Sequence, residues 1–387
     1  MIETAITQVI DRLEQTGSII EPQDREYIVK KVMQLADHTL TLEGFQQEIV
    51  TFLECCKHNQ DFGLRECSVG IKIGSLELKI NEQIDSLFDI ASITKLFTLK
   101  LCYELEKQGI LHYDAYVTDI CPAFTGLKNY TVLDILQMRG KIWGAKKLSE
   151  SQDKDELYQV LTTIEVVSLD AQDSNYTDLG FTILPFLIEA LSPHHQSFAQ
   201  LMNTYVIKPL GLTHTTYLPK HKRLLGNGNF DQLPHDKKTR ILGGVNGAAG
   251  LFTDLTDLFR VADHVFTGTF FDVPFMKALY QYHFLDGIDR RRSYAGLYTY
   301  SGKHYHNFCP MEFSNKTIAH QGFTGSLFVV DPVNRINLTL LIDAIPPGSM
   351  QKSEHYLHYF HKMKRRLVLD SLVVYCYCEL KKELLKR

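Results

Sequence analysis

A serine hydroxyl is a poor nucleophile at neutral pH and becomes useful only beside a group that takes its proton. The segment Phe88-Asp89-Ile90-Ala91-Ser92-Ile93-Thr94-Lys95 offers such a pairing. If Ser92 opens a helix, Lys95 three residues on lies on the same face, with its amine within reach of the hydroxyl. The N–H groups at a helix start also favour an oxyanion developing there. To act as the base, the amine must be neutral, so burial or nearby positive charge has to pull it below its usual value of about 10.4. Alone, S-x-x-K is weak: an N-capping serine followed by a surface lysine has the same spacing.

Two later segments add to it. Ser174-Asn175-Tyr176-Thr177-Asp178-Leu179-Gly180-Phe181 is a polar, turn-like stretch leading into an apolar helix (Ile183, Leu184, Leu187, Ile188). The Tyr176 hydroxyl can shuttle a proton between nucleophile and leaving group. His320-Gln321-Gly322-Phe323-Thr324-Gly325 precedes a strongly patterned strand. Its glycines let a substrate approach the strand edge, and the Phe323 N–H is a candidate second oxyanion donor.

The elements that must position these residues are legible from periodicity. Residues 68–73 and 76–80 predict two strands joined at Gly74-Ser75, and a helix is expected from about Ser92 to Lys107, ending at Gly109. Residues 325–330 and 336–342 predict a second strand pair, turned by Asp331-Pro332-Val333-Asn334. Between them, roughly 110–290 mixes helices with Gly-, Asn-, Asp- and Pro-rich loops and is expected to be a helical subdomain. The expected fold is therefore α+β: an antiparallel sheet assembled from both chain ends, flanked by helices, with a cleft between sheet and helices. Residues 1–60 carry three amphipathic helical patterns and are expected to be an N-terminal helical extension, packed on itself or on the body formed by residues 61–387. Such stripes also suit contact with a second copy. A last helical stretch, about 353–386, is basic at its tip, as a helix C-terminus favours.

Composition excludes several classes. With 387 residues, Lys+Arg 41 against Asp+Glu 45 and a formal charge of -4, nothing points to nucleic acid or an anionic membrane. The charged amphipathic start lacks a secretory pattern, no apolar run reaches membrane-span length, and free thiols are expected; together these point to a cytoplasmic protein. The eight cysteines include no C-x-x-C pair, and His194-His195, His304/His306 and His355/His358/His361 read as exposed or packing histidines, so no metal is expected. The glycine run 243–250 lacks the G-K-[S/T] ending of a phosphate cradle and is expected to line the cleft. No cofactor is expected.

The order S-x-x-K, Y-x-[N/D], [H/K]-x-G resembles the serine β-lactamase and penicillin-binding-protein superfamily. The flanking text LFDIASITKLFT, TVLDILQMRG, NYTDLGFTILPFLIE, VIKPLGLTHTTY, LPHDKKTRILGGVNGAAGLFTDLTDLFRVA and AHQGFTGSLFVVDP is similar to its class C and esterase-like branch, over roughly 67–345. The resemblance implies a β-lactamase/transpeptidase-like fold. It also implies Ser92 as nucleophile, Lys95 as its partner, Tyr176 as general base or acid, and His320 with Gly322 on the sheet side of the cleft. The N–H groups of Ser92 and Phe323 would form the oxyanion hole. Three departures bear on the chemistry. Asp178 replaces the Asn of true class C lactamases, and a carboxylate there favours an ammonium at Lys95, shifting the base role to Tyr176. His320 replaces Lys and, when neutral, attracts a substrate carboxylate less. Met138-Arg139-Gly140-Lys141 stands where H-T-S-G is usual, which alters the local cleft wall. The His320 change and the absence of a secretory pattern favour a small-molecule ester or amide as substrate, while the Asp178 and Met138-Arg139 departures motivate the reading of an idle relative. A β-lactamase or D-alanyl-D-alanine carboxypeptidase, an acyl transferase, or an idle relative binding through the same cleft are the alternatives.

Overall fold

The computed structural model describes residues 42–58, 63–220, 222–228, 231–286, 291–300, 313–344 and parts of 369–381. The two N-terminal helical patterns before residue 42, His304/His306 and the 355–361 histidines lie outside them. The framework is an eight-stranded antiparallel sheet in the order β2-β1-β13-β12-β11-β10-β9-β8. Its strands are β1 (Glu66–Ile73), β2 (Leu76–Ile80), β8 (Phe284–Leu285), β9 (Arg291–Arg292), β10 (Tyr298–Thr299), β11 (Ile318–Gln321), β12 (Leu327–Asp331) and β13 (Ile336–Asp343). The first strand pairs with the last over its whole length, from Glu66 opposite Asp343 to Ile73 opposite Ile336. The sheet is thus closed by both ends of the chain, as expected from the sequence. Outside it lie a three-stranded sheet of β3 (Ser86–Asp89), β6 (Arg223–Leu225) and β7 (Phe252–Thr253), and a pair of β4 (Lys141–Trp143) and β5 (Glu165–Ser168).

Successive side chains of a strand point to opposite faces, so each strand serves two cores. Cys67, Val69 and Ile71, Leu327 and Val329, and Leu338, Leu340 and Ile342 face one core. Phe328, Val330, Leu341 and Ile318 face the other. The first core is covered by the helix α1 (Leu42–His58), whose Phe45, Ile49, Phe52, Leu53 and Cys56 form one stripe, and by Leu369, Leu372, Val373, Cys376, Tyr377 and Leu380 near the C-terminus. Lys57 at the end of α1 reaches Glu66 at the start of β1, 2.8 Å away. The helix thus packs as a layer on that face of the sheet.

The second core is built around α2 (Thr94–Lys107), in which Thr94 to Tyr103 are all buried. A helix buried on every side is a core element, and its polar side chains need internal partners. Beside it stand α3 (Leu179–Leu191) and α4 (Leu255–Phe266). Helix α4 lies on the sheet, where a Cβ at Gly70 would come within 2.9 Å of both Leu255 and Phe259. Within 110–290, α4 and β8 return to the large sheet. Among the described residues no helix is long and apolar enough to cross a membrane.

Candidate active site

The expected helix does not begin at Ser92. Ser92 sits in a 3-10 turn, Ala91–Ile93, and α2 starts at Thr94. Just before Ser92, Ala91 adopts φ 48°, in the left-handed region that a non-glycine residue rarely occupies, so no helix extends back through that residue. The Asp89 carboxylate accepts a hydrogen bond from the Ala91 N–H at 2.9 Å and holds the turn in place. Such strain persists only where the surroundings over-determine it, and it lifts Ser92 out of the helix, leaving the serine half-buried while its neighbours are buried.

Lys95, in the first turn of α2, is wholly buried. Its Nζ lies 3.0 Å from Ser92 Oγ, 2.8 Å from the Tyr176 hydroxyl and 3.2 Å from the Ala248 carbonyl. Asp178 Oδ1 is 2.8 Å away. Four oxygens thus surround three N–H bonds. Burial pushes the Lys95 amine down, but the Asp178 carboxylate and Tyr176 outweigh it and hold the amine above its ordinary value. Lys95 is therefore an ammonium at neutral pH, as Asp178 led one to expect. Asp178 itself bridges two cations, with Lys238 Nζ 3.0 Å from its other oxygen. Burial would raise its carboxyl, yet Lys95 and Lys238 hold it far below the carboxylate range. Lys238 is in turn 3.2 Å from Asp236, so alternating charges extend from the nucleophile to the surface.

Tyr176 is held on three sides. Its hydroxyl meets Lys95, the Arg292 guanidinium lies 4.3 Å from its ring centroid, and Gly296 packs so tightly on the ring that a Cβ there would lie 2.4 Å from it. Arg292 is fixed by Asp286 at 2.7 Å and stacks on Tyr298 as well.

His320 is placed otherwise than as a cleft-lining group. Strand alternation turns its ring inward, where it is 1% exposed, with Nδ1 3.0 Å from the Gln321 carbonyl and Nε2 3.2 Å from that of Ala295. Burial, with Lys95 and Arg292 nearby, lowers its pKa to about 3, so the imidazole is neutral. The residue after it leads into a tight turn. Gly322 lies against the nucleophile turn, where a Cβ would sit 2.7 Å from the Ile90 carbonyl and 3.3 Å from Ala91 Cβ. The next residue, Phe323, projects a half-exposed ring over that turn's neighbour His235, the two rings parallel with centroids 5.4 Å apart.

The glycine run also differs from expectation. From Asn246 on it is buried along α2, where Thr98 donates to Gly247, Thr94 accepts from Leu251 and Lys95 meets Ala248. A Cβ at Gly247 would lie 2.4 Å from the Phe181 carbonyl. Small residues there let backbone approach helix; they do not leave room for substrate. Met138, at the altered H-T-S-G position, ends a short helix at φ 51°, and the Gly140 N–H donates to Ser174 Oγ at 2.9 Å, tying this wall to the Tyr176 loop. Sequence reading passed over Lys238, Arg292 and the Asp89–His235 pair as functional groups. Lys238 and His235 lie within LPHDKKTR, but no spacing rule links them to Asp178 or Asp89.

A cluster of His214, Asp254 and Asp257 has the residue types of a metal site. Asp257 already accepts from the N–H groups of Thr213, His214 and Thr215, and Asp254 caps α4 and pairs with His214. Those oxygens serve the fold.

Comparison with known proteins bears directly on this arrangement. The beta-lactamase family profile matches residues 75–358, most of the chain. This chain belongs to the beta-lactamase family. Among curated relatives, a protein of Escherichia coli K12 named "Putative D-alanyl-D-alanine carboxypeptidase" is 24% identical over 310 residues, covering 69% of this chain and 71% of its own. Among solved structures, a class C beta-lactamase from Rhodobacter sphaeroides superposes with a TM-score of 0.53 at 16% identity, over 81% of this chain and 98% of that one. A D-stereospecific amidohydrolase from Streptomyces gives a TM-score of 0.56 at 18% identity, over 74% and 92%. The fold is that of β-lactamases and transpeptidases, and the family is one of serine hydrolases.

Proposed function

We propose that this member of the family cleaves an ester or amide through an acyl-enzyme on Ser92. The observation that supports it most is the single buried ammonium of Lys95, in contact with both the Ser92 hydroxyl and the Tyr176 hydroxyl. Because Asp178 keeps that ammonium charged, the proton of Ser92 goes to Tyr176, which acts as its phenolate beside the Lys95 ammonium. Ser92 Oγ bonds to the substrate carbonyl carbon and the carbonyl π electrons move to its oxygen, so the negative charge passes from the now protonated tyrosine to the oxyanion. The N–H groups of Ser92 and Phe323 are assigned to the oxyanion. Collapse expels the alcohol or amine, which takes the proton from Tyr176. Water then attacks the acyl carbon, gives a proton back through Tyr176, and Ser92 is released.

The neutral, buried His320 supports substrates without a carboxylate at the sheet side, since it supplies no positive charge there. A small uncharged ester or amide is the preferred substrate class. The second reading is a carboxypeptidase or β-lactamase activity, favoured by the relative named for it. Two assays separate them: hydrolysis of p-nitrophenyl esters against nitrocefin, and labelling with a fluorophosphonate followed by peptide mapping. Ester turnover above nitrocefin turnover, with one adduct on Ser92, is the expected result. A folded protein that takes no adduct at Ser92 would sink the hydrolase reading and leave a cleft that only binds.

A further inference from the structure

Asp89 and His235 form a further titratable pair beside the nucleophile turn, with Arg240 against the His235 carbonyl, and neither member has a part in the proton path above. Asp89 is fully buried, three residues before Ser92, and all its hydrogen bonds serve geometry. One carboxylate oxygen takes the Ala91 N–H; the other takes the His235 N–H at 2.8 Å and lies 2.7 Å from His235 Nδ1. The opposite face of the problem is Phe323, whose ring lies flat on the ring of His235, at an interplanar angle of 1°. His235 therefore touches both sides of the cleft: through Asp89 it reaches the strained Ala91 that presents Ser92, and through its ring it reaches Phe323. Gly322 closes the loop by packing directly on Ile90 and Ala91.

We infer that His235 is a positioning residue that sets the spacing of the Ser92 and Phe323 N–H groups. The inference rests on the acyl-enzyme reading above, which assigns those two groups to the oxyanion. Its physical basis is that Ala91 at φ 48° relaxes unless something holds it, and a misplacement of about 1 Å in a reacting group can cost on the order of 100-fold in rate. Asp89 alone satisfies the Ala91 amide; it keeps its own orientation because His235 occupies its second oxygen twice.

The test splits the two contacts of His235. His235→Phe keeps a ring for Phe323 to stack on and removes the Nδ1 contact to Asp89, while His235→Asn retains a side-chain N–H for Asp89 and removes the ring. Kinetics on a p-nitrophenyl ester are measured per active site, titrated by a fluorophosphonate burst, so that unfolded protein drops out. Each variant is expected to lose roughly tenfold or more in kcat with KM within about twofold, as loss of transition-state geometry demands. Phe323→Leu, which removes the stack from the other side, should reproduce the His235→Asn loss, and the double variant should lose no more than either single one. Wild-type kcat per titrated site in both His235 variants would overturn the inference, as would fully additive losses in the double variant. A wild-type protein that takes no fluorophosphonate at all refutes the acyl-enzyme reading, and this inference with it, which is a different outcome from labelled variants of unchanged rate.

Discussion

At the scale of single residues the site is governed by where charges are allowed to sit. A buried ammonium is costly unless paired, and removing one partner of a wholly buried pair typically costs about 3–5 kcal/mol. The Asp178 side chain is 34% exposed and shared with Lys238, so its pair with Lys95 is partly screened. Asp178→Asn is therefore expected to lower stability by about 1–2 kcal/mol at pH 7 in urea melts. The sign with pH follows from the two shifts. Asp178 is held low, so its contribution is present above about pH 4 and fades as acid protonates it; Lys95 is held high, so its contribution persists until strong alkali. The deficit of the variant should accordingly shrink toward pH 3. His320 acts in the same direction, over a higher pH range. Its folded value of about 3 lies below the unfolded value of about 6.5, so between those limits the unfolded chain binds a proton that the folded one refuses. Stability then falls with decreasing pH, by up to about 1.4 kcal/mol per unit from this group. His320→Gln should flatten the wild-type slope between pH 6.5 and 4; an identical slope in both proteins would count against the buried neutral imidazole.

At the scale of elements, the proposed chemistry depends on how closely the end of β11 approaches the turn before α2. Gly322 is the contact, and its lack of a side chain is used there: a methyl group would meet the Ile90 backbone carbonyl at 2.7 Å. Backbone cannot yield as a flexible side chain can, so Gly322→Ala should push Phe323 away from Ser92. The expected result is a kcat on p-nitrophenyl esters reduced by on the order of tenfold to 100-fold, with the thermal midpoint moved by only a few degrees. Strands β1, β2, β12 and β13 were legible as patterned apolar runs bounded by turns, whereas β11, which carries this contact, was read only as a segment preceding a strand. The start of α2 was not legible either. Periodicity runs smoothly through Ser92, and only the backbone shows the left-handed Ala91 and the 3-10 turn that precede a helix starting at Thr94.

At the scale of the whole molecule, the sheet is a middle layer. One face meets α4 and the core that holds the site; the other meets α1 and the C-terminal side chains. The outer layer holds the sheet without touching the chemistry. Phe52, 3% exposed, packs into that outer core. Phe52→Ala should cost about 3–5 kcal/mol in denaturant unfolding while leaving kcat per titrated active site unchanged. A fall in kcat per site would show instead that the outer layer is coupled to the cleft.

With Tyr176 and His320 given their candidate roles by the family resemblance, the residues alone determined the two-ended sheet, the Ser92–Lys95 spacing and the carboxylate that favours an ammonium at Lys95. These follow from local rules: side-chain period, spacing within one helical turn, and the sign of a neighbouring charge. Tertiary structure alone decided the rest. It turned His320 inward between two carbonyls, laid the glycine run against α2, gave Asp178 a second cation in Lys238, and joined Asp89 to His235 across 146 residues of chain. Each is a contact between segments far apart in sequence, where neither partner carries a periodic signal and only the packing of the layers brings them together.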